Sequence, residues 1–247
     1  PVGGVRTHLL YTYPLLLEAG YRFTFVLPNT PIAGPFREDI AGWPDVEVIE
    51  APMKNRFREV YAFVRTLRGL LRQRRFALIH SHGLQAAVRV VLANLGYHVP
   101  HIATSQALFG PETAFESWGN AKLWLLERIL TRVDTLIAVS NDTREDHLRH
   151  LPRLGRVPGK IVTIHNGIPV RPFSVEPVSQ ENTIREQLGV PSDVRLLGFL
   201  GRFMKQKGFL QLIDALSEVA RSSAGTPFHL VAVGSGDQLL EYQRYLA

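Results

Sequence analysis

The 247 residues carry 45% hydrophobic and 20% charged side chains, which excludes a disordered segment and allows one large or two modest domains with a sizeable core. With no cysteine there is neither a disulfide framework nor a thiolate metal site, and no apolar run reaches the ~18 residues of a membrane-spanning helix, so cytoplasm is the expected compartment. The formal charge of +6 is unevenly spread: residues 1–168 hold 20 basic and 14 acidic side chains, the remainder 8 and 8, and seven arginines fall between Arg56 and Arg75.

The chain opens at Pro1 with Gly3-Gly4. From Arg6 to Ala19 the apolar positions Leu9, Leu10, Tyr13, Leu16 and Leu17 recur at helical spacing, and Gly20 ends the segment. Tyr21 to Leu27 reads as a strand closed by Pro28, Asn29 to Gly42 as a loop with one short helical turn, and Val46 to Ile49 as a strand. Phe57 to Leu71 is a long helix expected to turn Phe57, Tyr61, Val64, Leu67, Leu70 and Leu71 inward and its arginines outward. Ala77 to Ile79 is a strand followed by His80-Ser81-His82-Gly83, and Leu84 to Leu95 a helix. His101 to Thr104 is a strand, then come a loop through Pro111, a helix from Glu116 to Arg132, and a strand from Thr135 to Val139. A helix capped by Ser140 or Asn141 follows. After irregular residues 152–159, Ile161 to Ile164 is a strand ending in His165-Asn166-Gly167.

Such alternation implies an α/β fold with parallel sheets, because parallel neighbours need a crossover that a helix fills, and ligands of such sheets bind at the carboxyl ends of strands. Residues 1–168 form a Rossmann-like domain, 169–180 a proline-bearing linker and 181–247 part of a second alternating domain. The glycine pair without a strand before it, and the helical pattern running into Ala247, suggest a fragment cut at both ends.

The second domain opens on RLLGFLGRFMKQKGFLQLIDAL, Arg195 to Leu216. A buried strand, Leu196 to Leu200, leads through Gly201 and a basic loop to a helix from Gly208, with Leu210, Leu212, Ile213 and Leu216 apolar. A glycine turn before a helix start is suited to an anion, and Arg202 and Lys207 add cations, although the same pattern also describes an ordinary strand-to-helix connection. Neither a Walker loop nor GxGxxG is present. FHLVAVGSGD, Phe228 to Asp237, repeats the logic with Gly234, Ser235 and Gly236, small residues that let a ligand approach closely. His80 and His82 are expected to point to opposite faces beyond their strand. With no third ligand at a convincing spacing, no metal is expected, and His80 reads as a buried imidazole bonded to backbone. The arginine-rich helix reads as a solvated face, with a peripheral contact to the inner face of the cytoplasmic membrane as the alternative. Nucleic acid is not expected as a partner, being less favoured still than membrane, because the aromatics of that helix read as inward rather than set between the arginines on an exposed face.

GGVRTHL, ALIHSHG, VDTLIAVS, IVTIHNGI, GRFMKQKG and VAVGSG, in that order and spacing, resemble the family 4 retaining glycosyltransferases of the GT-B fold. The resemblance covers essentially the whole chain, and GR…KG is its most specific part. It implies an acceptor-side first domain and a second domain holding a UDP- or GDP-sugar as substrate, with no further cofactor. Arg202 and Lys207 would grip the donor diphosphate and stabilise the leaving group, Gly3 and Gly4 would approach it, and Gly234, Ser235 and Gly236 would lie near the nucleotide. His8, His82 and Gln106 would touch sugar or acceptor, the acceptor being a glycan, a lipid-linked or a small molecule. Gln106 stands where the family commonly has a histidine, and Pro169 where it has an aspartate after the NG element. The family's paired glutamates would fall beyond Ala247. A sugar-nucleotide epimerase of the same fold and a non-catalytic homologue binding sugar nucleotide or a partner protein are the alternatives.

Overall fold

The computed structural model describes residues 4–52, 57–109, 120–170, 180–222 and 227–246. The chain divides into two compact units, Pro1–Pro169 and Val170–Ala247.

In the first unit helix and strand alternate: α1 (Gly4–Glu18), β1 (Phe23–Pro28), α2 (Gly34–Ile40), β2 (Val46–Ala51), α3 (Phe57–Gln73), β3 (Ile79–His82), α4 (Leu84–Asn94), β4 (His101–Ser105), α5 (Asn120–Leu130), β5 (Thr135–Ala138), α6 (Asn141–His150) and β6 (Ile161–Thr163). Every ladder is parallel. β1 pairs with β2, and β3, β4, β5 and β6 form a four-stranded sheet in chain order. Helix α1 ends because Gly20 takes a left-handed φ of 87°, so that its N–H reaches Leu17 O and that of Tyr21 reaches Leu16 O. Ser140 is the cap of α6, its hydroxyl accepting from the Thr143 N–H at 3.0 Å.

Three apolar clusters hold this unit. Leu84, Ala87 and Val91 of α4 meet Ala103, Leu136 and Ile161 of the sheet and Leu126 and Leu130 of α5. Phe63, Leu67, Leu70 and Leu71 of α3 pack on Ala51, Val90 and Ala93. Leu9 and Tyr13 of α1 meet Leu27, Phe36 and Ile40.

Several local readings are corrected. Asn29 to Gly42 holds a 3₁₀ turn, Pro31–Ala33, and the two-turn helix α2, because Phe36 and Ile40 sit four apart and both are buried. Phe57 and Tyr61 are not inward but 88% and 63% exposed. Strand β3 starts two residues later than the pattern suggested and ends three later, so His80 and His82 lie within it. A 3₁₀ turn, Pro152–Arg156, buries Leu154 where irregular chain was expected. Most of the expected linker and the start of the expected Glu116 helix lie outside the described residues, and Gln180 already belongs to a helix.

The second unit contains α7 (Gln180–Leu188), β7 (Arg195–Leu200), α8 (Phe209–Arg221), β8 (Phe228–Val233) and α9 (Leu239–Leu246). β7 and β8 are parallel, with Arg195 opposite Phe228 and Leu200 opposite Val233. Its core is aromatic: Phe203, Phe209 and Tyr242 are buried, with Phe199, Leu210, Ile213, Leu230 and Leu239 around them.

Candidate functional site

Parallel pairing brings the carboxyl ends of β7 and β8 side by side, and the loops that leave them are laced together. Gly201 N–H donates to Val233 O at 3.1 Å, Phe203 N–H to Ser235 O at 2.9 Å and Gln238 N–H to Phe203 O at 3.2 Å. A Cβ added to Gly234 would stand 1.8 Å from Gly201 O, and one on Gly236 would stand 2.2 Å from Phe203 O. The neighbouring backbone therefore accounts for both glycines, whereas the sequence pointed to a ligand.

The first loop is pinned by one side chain. Phe203 is 4% exposed and sits 5.8 Å from Phe199, 5.0 Å from Phe209 and 6.3 Å from Tyr242, ring centre to ring centre. Arg202 before it and the 3₁₀ turn Lys205–Lys207 after it stay at the surface. Gly208, at a left-handed φ of 70°, turns the chain into α8. The first intrahelical acceptance is Leu212 N–H to Gly208 O, which leaves the N–H groups of Phe209, Leu210 and Gln211 without a helical acceptor. Among the described residues neither Arg202 nor Lys207 has an ion pair or a side-chain hydrogen bond. Two unpaired cations on a fixed loop before a helix start can hold a doubly charged anion.

In the first unit the carboxyl ends of β3 and β4 meet the start of α1. A Cβ on Gly4 would lie 3.1 Å from Gln106 Oε1, and one turn further along α1 the His8 ring lies 5.6 Å from that of His82. His82 and His80 share one face, with ring centres 4.2 Å apart, because residues two apart in a strand point the same way. The expectation of opposite faces is thereby reversed. The Tyr13 hydroxyl lies 3.1 Å from His80 Nδ1 and 3.2 Å from His82 Nε2, and His80 Nε2 lies 2.8 Å from Thr104 Oγ1. His80 is thus bonded to side chains rather than to backbone.

Burial keeps these imidazoles neutral. It pushes His80 down to about 4 and His82 to about 2, with the neighbouring histidines pushing the same way, and it lowers His8 against a hydrogen bond with Asn166. Burial likewise raises the Tyr13 phenol, which remains protonated and can donate to one imidazole while accepting from the other. His8 Nδ1, His82 Nδ1 and Gln106 Nε2 are buried without a partner. Three such atoms around one strand edge mark a polar subsite, since unpaired buried groups are costly. Among the described residues no three His, Asp or Glu side chains are grouped as metal ligands.

Gly3 lies outside the described residues. Sequence reasoning missed Tyr13, Thr104 and Asn166 as members of this cluster. The available signal was an aromatic hydroxyl at an inward helical position facing an HxH strand. Arg6, inside the GGVRTHL motif, is committed to Asp39 in a two-pronged ion pair at 2.6 and 2.8 Å and braces α1 on α2.

Residues 2–171 match the sequence profile described as Glycosyltransferase Family 4. The chain belongs to that family. A curated family relative, alpha-maltose-1-phosphate synthase of Mycolicibacterium smegmatis, is 32% identical over 148 residues, covering 58% of this chain and 38% of the relative. A glycosyltransferase of Rickettsia africae superposes with a TM-score of 0.72 at 18% identity, over 99% of this chain and 60% of that one. Anabaena Alr3699/HepE, crystallised with UDP and glucose, superposes with a TM-score of 0.69 at 21% identity, over 99% and 60%. At such identities the structures show a shared fold, the α/β parallel-sheet type of the GT-B glycosyltransferases. This family 4 chain spans 38% of the length of the synthase and 60% of each of the two solved structures.

Proposed function

We propose that the protein transfers a hexose from a nucleoside-diphosphate sugar to an acceptor hydroxyl with retention of configuration, in the synthesis of a glycan, polysaccharide or glycolipid. The observation that carries the reading is the pair Arg202 and Lys207, unpaired and exposed on a loop anchored by buried Phe203 immediately before α8. Negative charge grows on the diphosphate as the bond from its oxygen to the sugar C1 breaks. Cations and backbone N–H groups fixed before that moment stabilise it without reorganising. Support comes from the Anabaena relative in fold, crystallised with UDP and glucose, and from the synthase of a sugar phosphate to which 148 residues of the chain are 32% identical.

The first unit supplies the sugar or acceptor side. Neutral His82 and His8 offer one unpaired nitrogen each, and Gln106 an unpaired amide, to sugar hydroxyls or to the acceptor. Gly4 borders Gln106 at the start of α1, where a side chain would press on the amide, so the glycine keeps Gln106 in place. Gly234 and Gly236 serve the donor indirectly, by letting β8 lie against the Arg202 loop, and Ser235 ties the two loops through its carbonyl.

The test is incubation with UDP-glucose and GDP-linked hexoses across a panel of hydroxyl acceptors, with NMR of the product anomeric carbon. A glycoside of the donor's configuration, formed only when acceptor is present, is expected. Isomerised sugar nucleotide without acceptor would instead identify an epimerase. A second reading rests on Gln106, which can bond a sugar hydroxyl but cannot exchange a proton near neutral pH. On that reading the protein binds the donor without turnover, and tight binding with no product from any acceptor would support it.

A further inference from the structure

Helix α3 carries an outward face that its fold does not use. At 3.6 residues per turn, Phe57, Tyr61, Arg65, Arg68 and Arg72 fall within about 80° of one another, and Arg58 lies at the edge of that arc. The buried arc, Phe63, Leu67, Leu70 and Leu71, is on the opposite side. Phe57 is 88% exposed and Tyr61 63%, so two aromatic rings stand in solvent among arginines.

The charge on this face is one-signed. Arg68 donates to the Ala93 and Leu95 carbonyls and covers the Tyr97 ring, and Arg74 pairs with Glu47, so those two are occupied. Among the described residues Arg58, Arg65, Arg72 and Arg75 have neither an ion pair nor a side-chain hydrogen bond. The one acid of the helix, Glu59, lies off the arc and interacts with buried Arg89 of α4. Leu95, whose carbonyl Arg68 holds, adds a 44% exposed apolar side chain beside the stripe.

We propose that the outward face of α3 docks on an anionic lipid surface. Phe57, Tyr61 and Leu95 enter the interfacial layer while Arg58, Arg65, Arg72 and Arg75 meet the headgroup phosphates. Arginine suits this position because its planar guanidinium bonds two phosphate oxygens at once, and its charge persists at all relevant pH values. An exposed phenylalanine in water gains from burial in lipid, and tyrosine prefers the boundary itself. No helix among the described residues is long and apolar enough to cross a membrane, so the contact is peripheral. A single-stranded nucleic acid could also meet arginines and aromatic rings. Lipid is favoured because Phe57, the most exposed ring, has no polar tip and sits at the helix end with arginines along one side only, rather than on a groove that tracks a strand.

The experiment is co-sedimentation of the 247-residue chain with vesicles of phosphatidylcholine alone or mixed with phosphatidylglycerol, at low and physiological salt. Binding to the mixed vesicles, weakened by salt, is expected. R58Q/R65Q/R72Q should lower the partition coefficient on the order of 100-fold, at about 1 kcal/mol per arginine. F57S should lower it further at a salt concentration where the arginines are screened. These positions are exposed, so circular dichroism should be unchanged, and R144Q/R149Q/R156Q, which removes equal charge from exposed sites elsewhere, should bind like the parent. Absence of vesicle binding, equal loss in the two triple variants, or tighter binding to a single-stranded oligonucleotide than to the mixed vesicles would each overturn the assignment.

Discussion

A Cβ on Gly234 would stand 1.8 Å from the carbonyl oxygen of Gly201. That distance joins the two strand-end loops of the second unit into one object. The loop bearing Arg202 and Lys207 owes its position to a backbone contact that only glycine permits, and to Phe203 wedged beneath it.

Replacing Gly234 with alanine should therefore damage the fold before any ligand is added. Overpacking of this kind costs about 1–3 kcal/mol. Denaturant unfolding of the ligand-free protein should show an earlier transition for Gly234→Ala, whereas Lys207→Ala, at an exposed site, should leave it within about 0.5 kcal/mol. An unchanged transition for Gly234→Ala would mean that the loop relaxes and that the glycine has another purpose.

Much of the architecture was legible in the chain. The alternation of helix and strand followed from apolar periodicity, and the strand-end clusters followed from the parallel topology that alternation imposes. What failed has physical reasons. On α3, Phe57, Tyr61, Val64 and Leu71 looked like one inward stripe, but each four-residue step advances about 40° around the helix. Tyr61 is thus carried well away from the arc that holds Phe63 and Leu70, and the arginine side claims it. On β3, the strand's end was placed three residues early, at Ile79 instead of His82, which turned His80 and His82 from strand residues, two apart and so on one face, into loop residues read as pointing to opposite faces. The Tyr13 bridge was out of reach for a simpler reason: sequence gives an inward position but not the atom it meets.

That bridge predicts both a stability loss and a pH dependence. Tyr13→Phe removes the hydroxyl from two part-buried imidazole nitrogens and should cost about 1–3 kcal/mol. His80 and His101 are held at about 4 by burial, below the ordinary value near 6.5. A histidine lowered on folding is protonated first in the unfolded chain, so stability is full above about 6.5 and falls as pH drops toward 4. The slope reaches about 1.4 kcal/mol per pH unit for each such histidine. Unfolding measured at intervals from pH 7.5 to 5 should show this decline, and His101→Gln should flatten it. A level profile would contradict the buried neutral assignment.

Gly4 and Gln106 should act as a pair. The methyl group of Gly4→Ala meets Gln106 Oε1 at 3.1 Å, so the amide must shift while the helix start is little affected. Product formation by Gly4→Ala should fall, and most of that fall should vanish in a Gln106→Ala background. Effects that simply add would separate the two residues and remove Gln106 from the subsite.

The most direct test of the donor site is calorimetric titration of the 247-residue chain with UDP and with GDP, repeated for Arg202→Ala and Lys207→Ala. Each variant should keep the parent's unfolding transition and lose about 1.5–3 kcal/mol of binding to the preferred nucleotide, roughly a 10- to 150-fold weaker Kd. Parent-like affinity in both variants would contradict the assignment of Arg202 and Lys207 to the diphosphate.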